Sequence, residues 1–437
     1  MNPESLNQSL KGVQLPKTLR LIGCFILAGL LFGTIGWGIA LGQGGKGTFI
    51  RLTTASEGNR DSLNPAINDD GSKIIFISDS DFFNQGISDD QYDIWLFSTP
   101  TMTLTRITTN SGITPPLSHI NPLPAKPTIS GDGTKIFFTS TADFLNEGTT
   151  KYRIWLYNIS TATLTQVVSI ADLPPPSHSD CKLMDPAISN DGTKLLFIRS
   201  CYAGSALYDH DIWLLDTNAM TQTHVLNAKS FSQVECTLNS DGSKFIIYYG
   251  SRPRLYDSAT LSYSFFVRDV QYLPPGPPDI NGDGTKIAYS NHISNSSSSR
   301  HEVWLYNTKT ITYTRITTTT DTSDRASSNP ILSAVGNDLV FMSDADLLNH
   351  NNIVNDQFEI WLARITPTFL TRLTIASDSN RDSLNAAMSA DGMTVVFESD
   401  SDLLGQGIPD DQREIWLYQV DPLDSSPSWT YLPIVMK

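Results

Sequence analysis

Asn64-Pro-Ala-Ile-Asn-Asp-Asp-Gly-Ser-Lys-Ile-Ile-Phe-Ile-Ser-Asp-Ser-Asp81, followed after a polar loop by Tyr92-Asp-Ile-Trp-Leu-Phe97, is the stretch that decides the fold. Its Asp-Gly step returns at 132–133, 191–192, 241–242, 283–284 and 391–392, with a degenerate copy at Val335-Gly336. Its closing run returns at 153–157, 211–215, 302–306, 359–363 and 414–418. A fixed period of this kind marks a repeat architecture. Asp-Gly between two strand-like runs is a hairpin signal, because glycine tolerates the positive φ of a tight turn. The Ile-Trp-Leu-Tyr run reads as a third strand. The Thr-x-Thr-Arg-Ile-Thr pattern at 103–108 and 312–317, with a variant at 370–374, is β-branched enough to read as a fourth. The fold class expected is all-β: a seven-bladed β-propeller of four-stranded antiparallel blades.

Blades are expected to begin near Asn64, Lys126, Asp185, Glu235, Pro277, Asn329 and Asn385. Thr48–Thr54 reads as a fourth strand with no first three before it, and nothing like it follows Tyr418. The economical inference is closure, with this N-terminal strand completing the last blade and removing its open edge. The fourth blade is deviant: Arg254-Leu255-Tyr256 replaces Trp-Leu-Tyr. The recurring Trp, always at one strand position, is read as packing between blades.

The repeats resemble the WD40-like (PD40) repeats of the TolB type, with Pro186-Ala-Ile-Ser-Asn-Asp-Gly-Thr-Lys-Leu-Leu-Phe197 a close match. The resemblance spans roughly residues 49–420. It implies the propeller fold; its functional implications are broader. TolB-type propellers include periplasmic partner-binding proteins and polysaccharide lyases that use metal-binding histidines. Fold alone does not choose between them.

Four domains are expected: a cytoplasmic segment (1–20), a transmembrane anchor or uncleaved signal (21–42), the propeller (48–420) and a linker with an apolar tail (421–437). No charge interrupts Leu21–Leu41, and Lys11, Lys17 and Arg20 precede it, so the N-terminus is expected in the cytoplasm and the propeller outside. Length favours a single-pass anchor in the cytoplasmic membrane. Cleavage near Ala40-Leu41-Gly42, giving a secreted protein, is the competing reading. Leu21-Ile-Gly-Cys24 has the form of a lipoprotein box but precedes the apolar stretch instead of following it.

A net charge of −15 argues against nucleic acid as a partner. If Asn190–Thr193 is a turn, Cys181 and Cys201 lie opposite each other just beyond its hairpin. A disulfide and two independent apolar residues both fit that placement. The histidines (119, 178, 210, 224, 292, 301, 350) are scattered singly and show no ligand or triad spacing.

Strand alternation divides the loops between two faces, and nearly all the loop length, including the stretches 201–210 and 291–301, falls on one. There the first, sixth and seventh repeats share a pattern. It comprises Arg60, Asp61, Asp79, Asp81 and Asp89 in the first, Asp344 and Asp346 in the sixth, and Arg381, Asp382, Asp400, Asp402 and Asp410 in the seventh. Closure would make these one acidic sector. It can be read as loop architecture, with Asp capping turns and pairing with Arg. It can also be read as a calcium site or as a recognition surface. No other cofactor is expected. The functional expectation is a monomeric, membrane-anchored module binding an envelope protein or a glycan through this face. The alternative is a carbohydrate-active enzyme, lyase or hydrolase, on the same face.

Overall fold

The computed structural model describes residues 39–41, 47–54, 60–87, 91–109, 126–145, 151–176, 180–204, 207–231, 234–249, 253–267, 276–295, 298–319, 325–348, 357–365, 368–375, 381–409 and 412–421. The chain enters through β1 (Ile39–Leu41) and β2 (Gly47–Arg51), then builds β3 (Ser62–Ile67), β4 (Lys73–Ser78), β5 (Asp93–Ser98) and β6 (Thr103–Arg106). The unit repeats as β7 (Thr128–Ile129), β8 (Lys135–Ser140), β9 (Arg153–Asn158) and β10 (Thr163–Ser169). The next comprises β11 (Cys181–Ile188), β12 (Lys194–Gly204), β13 (Leu207–Asp216) and β14 (Thr221–Phe231). It is followed by β15 (Val234–Leu238), β16 (Lys244–Tyr249), β17 (Arg254–Asp257) and β18 (Tyr263–Phe265). Then come β19 (Asp279–Ile280), β20 (Lys286–Asn295), β21 (Ser298–Asn307) and β22 (Thr312–Arg315). The chain goes on through β23 (Arg325–Leu332), β24 (Asp338–Ser343), β25 (Glu359–Ile365) and β26 (Thr368–Arg372). It ends in β27 (Ser383–Met388), β28 (Thr394–Ser399) and β29 (Glu414–Val420).

The expectation of seven separate four-stranded blades behind a transmembrane helix is corrected on both counts. Hydrogen bonding groups the described strands into six sheets: four of four strands, one of five and one of eight. The eight-stranded sheet arises because β21 is long enough for Arg300 and His301 to pair in parallel with Arg325 and Ala326 of β23. Among the described residues no helix is long and apolar enough to cross a membrane. Residues 21–38 of the expected span lie outside them, and Ile39–Leu41 is a strand paired antiparallel with β2. The expected segment 1–20, residue 42 of the expected span, and all of the expected tail 421–437 beyond Asp421 also lie outside the described residues.

The first strand of each unit touches the next in a closed circuit, β3 to β7, β11, β15, β19, β23, β27 and back to β3. Closure is made by β2, which runs antiparallel to β29 with Phe49 opposite Tyr418 and Arg51 opposite Trp416. One ion-paired triad recurs on the outer two strands. A buried acid at the start of the third strand takes hydrogen bonds from an arginine and a threonine on or just beyond the fourth. The sets are Asp93–Arg106–Thr108, Glu302–Arg315–Thr317 and Glu359–Arg372–Thr374. In the last sheet the same roles fall to Glu414, Arg51 and Thr53, residues from opposite ends of the propeller.

Apolar clusters fill the gaps between neighbouring repeats, and most hold a tryptophan, whereas the cluster of Leu196, Ile212, Phe245 and Tyr256 holds none. Trp155 packs with Ile75 and Ile77, Trp361 with Val303 and Phe341, and Trp416 with Phe49 and Val340. The Asp-Gly step does not form a two-residue hairpin. β3 ends at Ile67 and β4 begins at Lys73, so five residues make the turn, closed by Asn68 N–H to the Lys73 carbonyl. Gly71 within it has φ +71, which a Cβ disfavours. The stretches 201–210 and 291–301, expected as irregular loops, instead continue as hairpins β12–β13 and β20–β21.

Candidate functional site: charged side chains around the central channel

The sequence-selected acidic sector is built from loops whose polar groups bond to one another. Arg60 donates to the carbonyls of Asp79 (2.5 Å) and Ile87 (3.2 Å). Arg381 repeats this with Asp400 (2.5 Å) and Ile408 (3.2 Å). Asp81 accepts the backbone N–H groups of Gln85, Gly86 and Ile87, and Asp402 those of Gln406 and Gly407. Those bonds hold both carboxyls below the usual carboxylate range against a desolvation that pushes them up. Asp79, Asp344 and Asp400 each accept the N–H of the residue after an arginine, at 2.7 Å in all three. Asp61 and Asp382 link neighbouring repeats by accepting from Arg413 N–H and Phe358 N–H. The structure therefore brings the three loop sets into one neighbourhood. Asp346 is half-buried; Asp89 and Asp410 lie outside the described residues.

A second set of charges was not selected from the sequence. It lies on or next to the innermost strands, with Glu398 on a second strand, around the channel that the circuit of strands encloses. Lys126, Asp185 and Glu235 occupy the position held by Asn64, Asn329 and Asn385 in other repeats. At Asn64, Asp185, Asn329 and Asn385 the backbone takes φ +48 to +52, and the ladder slips at each. Asn and Asp tolerate that left-handed geometry, and a bulge redirects its side chain. Asp279 sits two residues deeper, accepting from Leu332 N–H (2.8 Å) and Thr237 Oγ1 (3.2 Å), and so ties together strands of three units. Glu398 stands on β28 where the corresponding strands carry Ile77 and Met342. It accepts Asn64 N–H (2.7 Å) and Asn385 Nδ2 (3.0 Å).

The electrostatics follow from crowding charges on one axis. Asp185 is pushed up to about 6 by burial first and by Glu235 second, with Lys126 opposing. Asp279 is pushed up to about 6 by burial, against its hydrogen bonds and Lys126. Burial also raises Glu398, against Asn64 N–H and Arg413. Lys126 is lowered by desolvation, while Asp279, Glu398, Glu235 and Asp185 pull it back up. Its side chain nevertheless keeps exposed surface. A group on the wall of a channel that opens to solvent has both properties, and the four acids around it favour its charged form. Neither Lys126 nor Asp185 makes a hydrogen bond or close ion pair, so their charges are open to a ligand.

The wall behind is stapled. Cys181 and Cys201 pair in register and are joined by a disulfide, four residues from Asp185 along β11. Cys236, beside Glu235, is free, and burial pushes its thiol up, reinforced by Asp185 and Glu235. A signal for the channel charges existed in the sequence. Lys126, Asp185 and Glu235 break an asparagine column, and Glu398 puts an acid in a column of Ile and Met.

No described protein family matches the chain, and no curated protein sequence does either. Among solved structures it is similar to an oligogalacturonate lyase in complex with manganese, at 12% identity and TM-score 0.60 over 89% of this chain and 96% of that one. It is similar to the oligogalacturonate lyase of Vibrio parahaemolyticus, at 14% identity and TM-score 0.60 over 89% and 98%. It is also similar to the β-propeller domain of the Trilobed protease from Pyrococcus furiosus, at 11% identity and TM-score 0.53 over 82% and 95%. Among the described residues no three His, Cys, Asp or Glu side chains converge closely enough to hold a metal ion, and the channel carboxylates stand on separate strands. What these likenesses show is the fold: the chain is a β-propeller, consistent with the TolB-type repeats in its sequence.

Proposed function

We propose that this chain is an exported binding propeller that takes a protein or glycan ligand at the charged mouth of its central channel. The observation that carries the reading is Asp185 and Lys126, opposite charges left without partners on the channel wall. Folding alone gives no reason to hold charges that way, because partly buried polar groups normally find partners. Export is supported by the Cys181–Cys201 disulfide, which persists in oxidising compartments. The test uses the full chain and a Lys126→Met/Asp185→Asn variant, both applied to a glycan array and to crosslinking against isolated cell envelopes. A ligand whose capture falls at least tenfold with the variant supports the reading. Ligands captured equally by both proteins refute it.

A carbohydrate-active enzyme on the same face is the second reading. It is favoured by Asp185 and Asp279 being held near 6, where a carboxyl can exchange a proton at neutral pH. Incubation with oligogalacturonate, followed for unsaturated sugar ends, separates the two. Turnover that disappears with Asp185→Asn selects the enzyme, and its absence alongside array binding selects the module.

A further inference from the structure

Arg254 is the one described arginine with neither an ion pair nor a hydrogen bond. Every other is held: Arg51, Arg106, Arg153, Arg199, Arg315, Arg325, Arg364, Arg372 and Arg413 by carboxylates, and Arg60, Arg300 and Arg381 by carbonyls. The register explains how Arg254 became stranded. In four other repeats a third-strand tryptophan faces an arginine, as Trp95 faces Arg106, Trp304 faces Arg315, Trp361 faces Arg372 and Trp416 faces Arg51, while Trp155 faces Gln166 and Trp213 faces His224. In the β15–β18 sheet the pair is exchanged, with Arg254 in the tryptophan's place facing Phe265 in the arginine's. Two residues earlier, where Asp93, Asp211, Glu302, Glu359 and Glu414 supply an acid, the sequence has Arg252.

The tryptophan slot offers no acceptor. The Nε1 atoms of Trp95, Trp155, Trp213, Trp304, Trp361 and Trp416 are all buried without a partner, and so are Nε and Nη1 of Arg254. Arg254 instead lies over the Tyr249 ring at 3.9 Å, with Phe265 at 5.4 Å and Tyr263 at 5.6 Å. Its Nη2 atom is neither bonded nor sealed. Tyr263 and Phe265 are 53% and 48% exposed, so the cation opens onto an apolar surface. A guanidinium ringed by aromatics and lacking an anion invites a carboxylate from outside the chain.

We infer that the flank of the β15–β18 sheet docks an acidic segment of a protein partner, whose Asp or Glu side chain supplies the counter-ion Arg254 lacks. Charge complementarity sets the acid, since Arg254 is a cation without a counter-ion in a chain otherwise rich in carboxylates. Ring geometry selects a peptide over a sugar. Tyr263 and Phe265 meet edge to face at 81°, giving a ridged surface for interdigitating side chains and no flat platform for a pyranose. Tyr and Arg are also the residues that dominate protein–protein contacts. This site is separate from the channel charges.

The test is selection of a displayed random-peptide library on the full chain. Fluorescence anisotropy then follows the recovered peptides and their Asp/Glu→Asn/Gln twins. Recovered peptides are expected to share an acidic residue. Their affinity is expected to fall at least tenfold with Arg254→Gln, with far less effect on the neutral twins. An Arg254→Trp/Phe265→Arg variant, which restores the pattern of four other repeats, is expected to fold and lose the peptides equally. Asp185→Asn leaves peptide binding intact, so failure here is distinct from failure of the channel reading. The inference is overturned by an empty selection, by acid-free peptides, or by affinities indifferent to Arg254. Arg254-dependent binding of a glucuronate oligomer with no peptide recovered overturns it too.

Discussion

Glu414→Ala is the sharpest perturbation of the ring closure. Glu414 is fully buried and accepts from Arg51 Nη2 at 2.7 Å, Gln412 Nε2 at 2.7 Å, and Thr53 Oγ1. Removing it leaves the Arg51 guanidinium, itself 7% exposed, without its carboxylate, and leaves Thr53 and Gln412 without their acceptor. Breaking a buried pair from one side costs about 3–5 kcal/mol. Glu359→Ala breaks the same triad inside one sheet and carries a similar local cost. The two differ in what they release. Glu359 holds strands close in sequence, whereas Glu414 holds β2, which otherwise pairs only with β1. Urea unfolding is therefore expected to show comparable losses, while limited proteolysis read by mass spectrometry shows early cleavage around residues 42–60 in Glu414→Ala alone. Loss of less than about 1 kcal/mol, or identical cleavage patterns, would refute the reasoning.

Other outcomes follow from the same packing. Replacing both Cys181 and Cys201 by alanine removes a crosslink spanning 20 residues, and thermal unfolding is expected to show a loss of about 3 kcal/mol. Trp361→Ala empties a fully buried site between two neighbouring repeats and is expected to lower stability in denaturant by about 3–5 kcal/mol. Gly242→Ala places a Cβ at φ +63 and 2.6 Å from Lys194 Cγ; calorimetry is expected to show destabilisation of at least about 1 kcal/mol.

How much the sequence disclosed depended on whether a feature is local. The repeats, the Trp strand and the closing segment were legible, because each is a run of neighbouring residues with a fixed period. The sheet count was not, since it turns on two residues of β21 reaching β23, a tertiary event with no local signature. The stretches 201–210 and 291–301 were read as connections between the second and third strands of a repeat, and those strands instead extend into them as long hairpins. The apolar run ending at Leu41 suggested a continuous span, but its last residues are strand. The channel charges escaped for another reason. Lys126, Asp185 and Glu235 are far apart in sequence, and only the circuit of first strands brings them to one axis. The acidic sector was conspicuous because it repeats along the chain, and the structure shows its acids capping loop backbones.

The central claim is that the channel mouth holds charges the fold would be more stable without. Asp185 tests this directly, having no hydrogen bond to lose and a left-handed backbone that asparagine accepts equally well. Its folded-state value of about 6 lies above the ordinary 3.8, so the native state binds more protons than the unfolded chain between those values. Stability must therefore fall as pH rises from about 4 to about 6, by roughly 2 kcal/mol after allowing for solvent in the channel. The measurement is urea unfolding of wild type and Asp185→Asn at pH 4 and pH 8. Asp185→Asn is expected to be the more stable protein at pH 8 and to match wild type at pH 4. A variant less stable than wild type at pH 8 would contradict it.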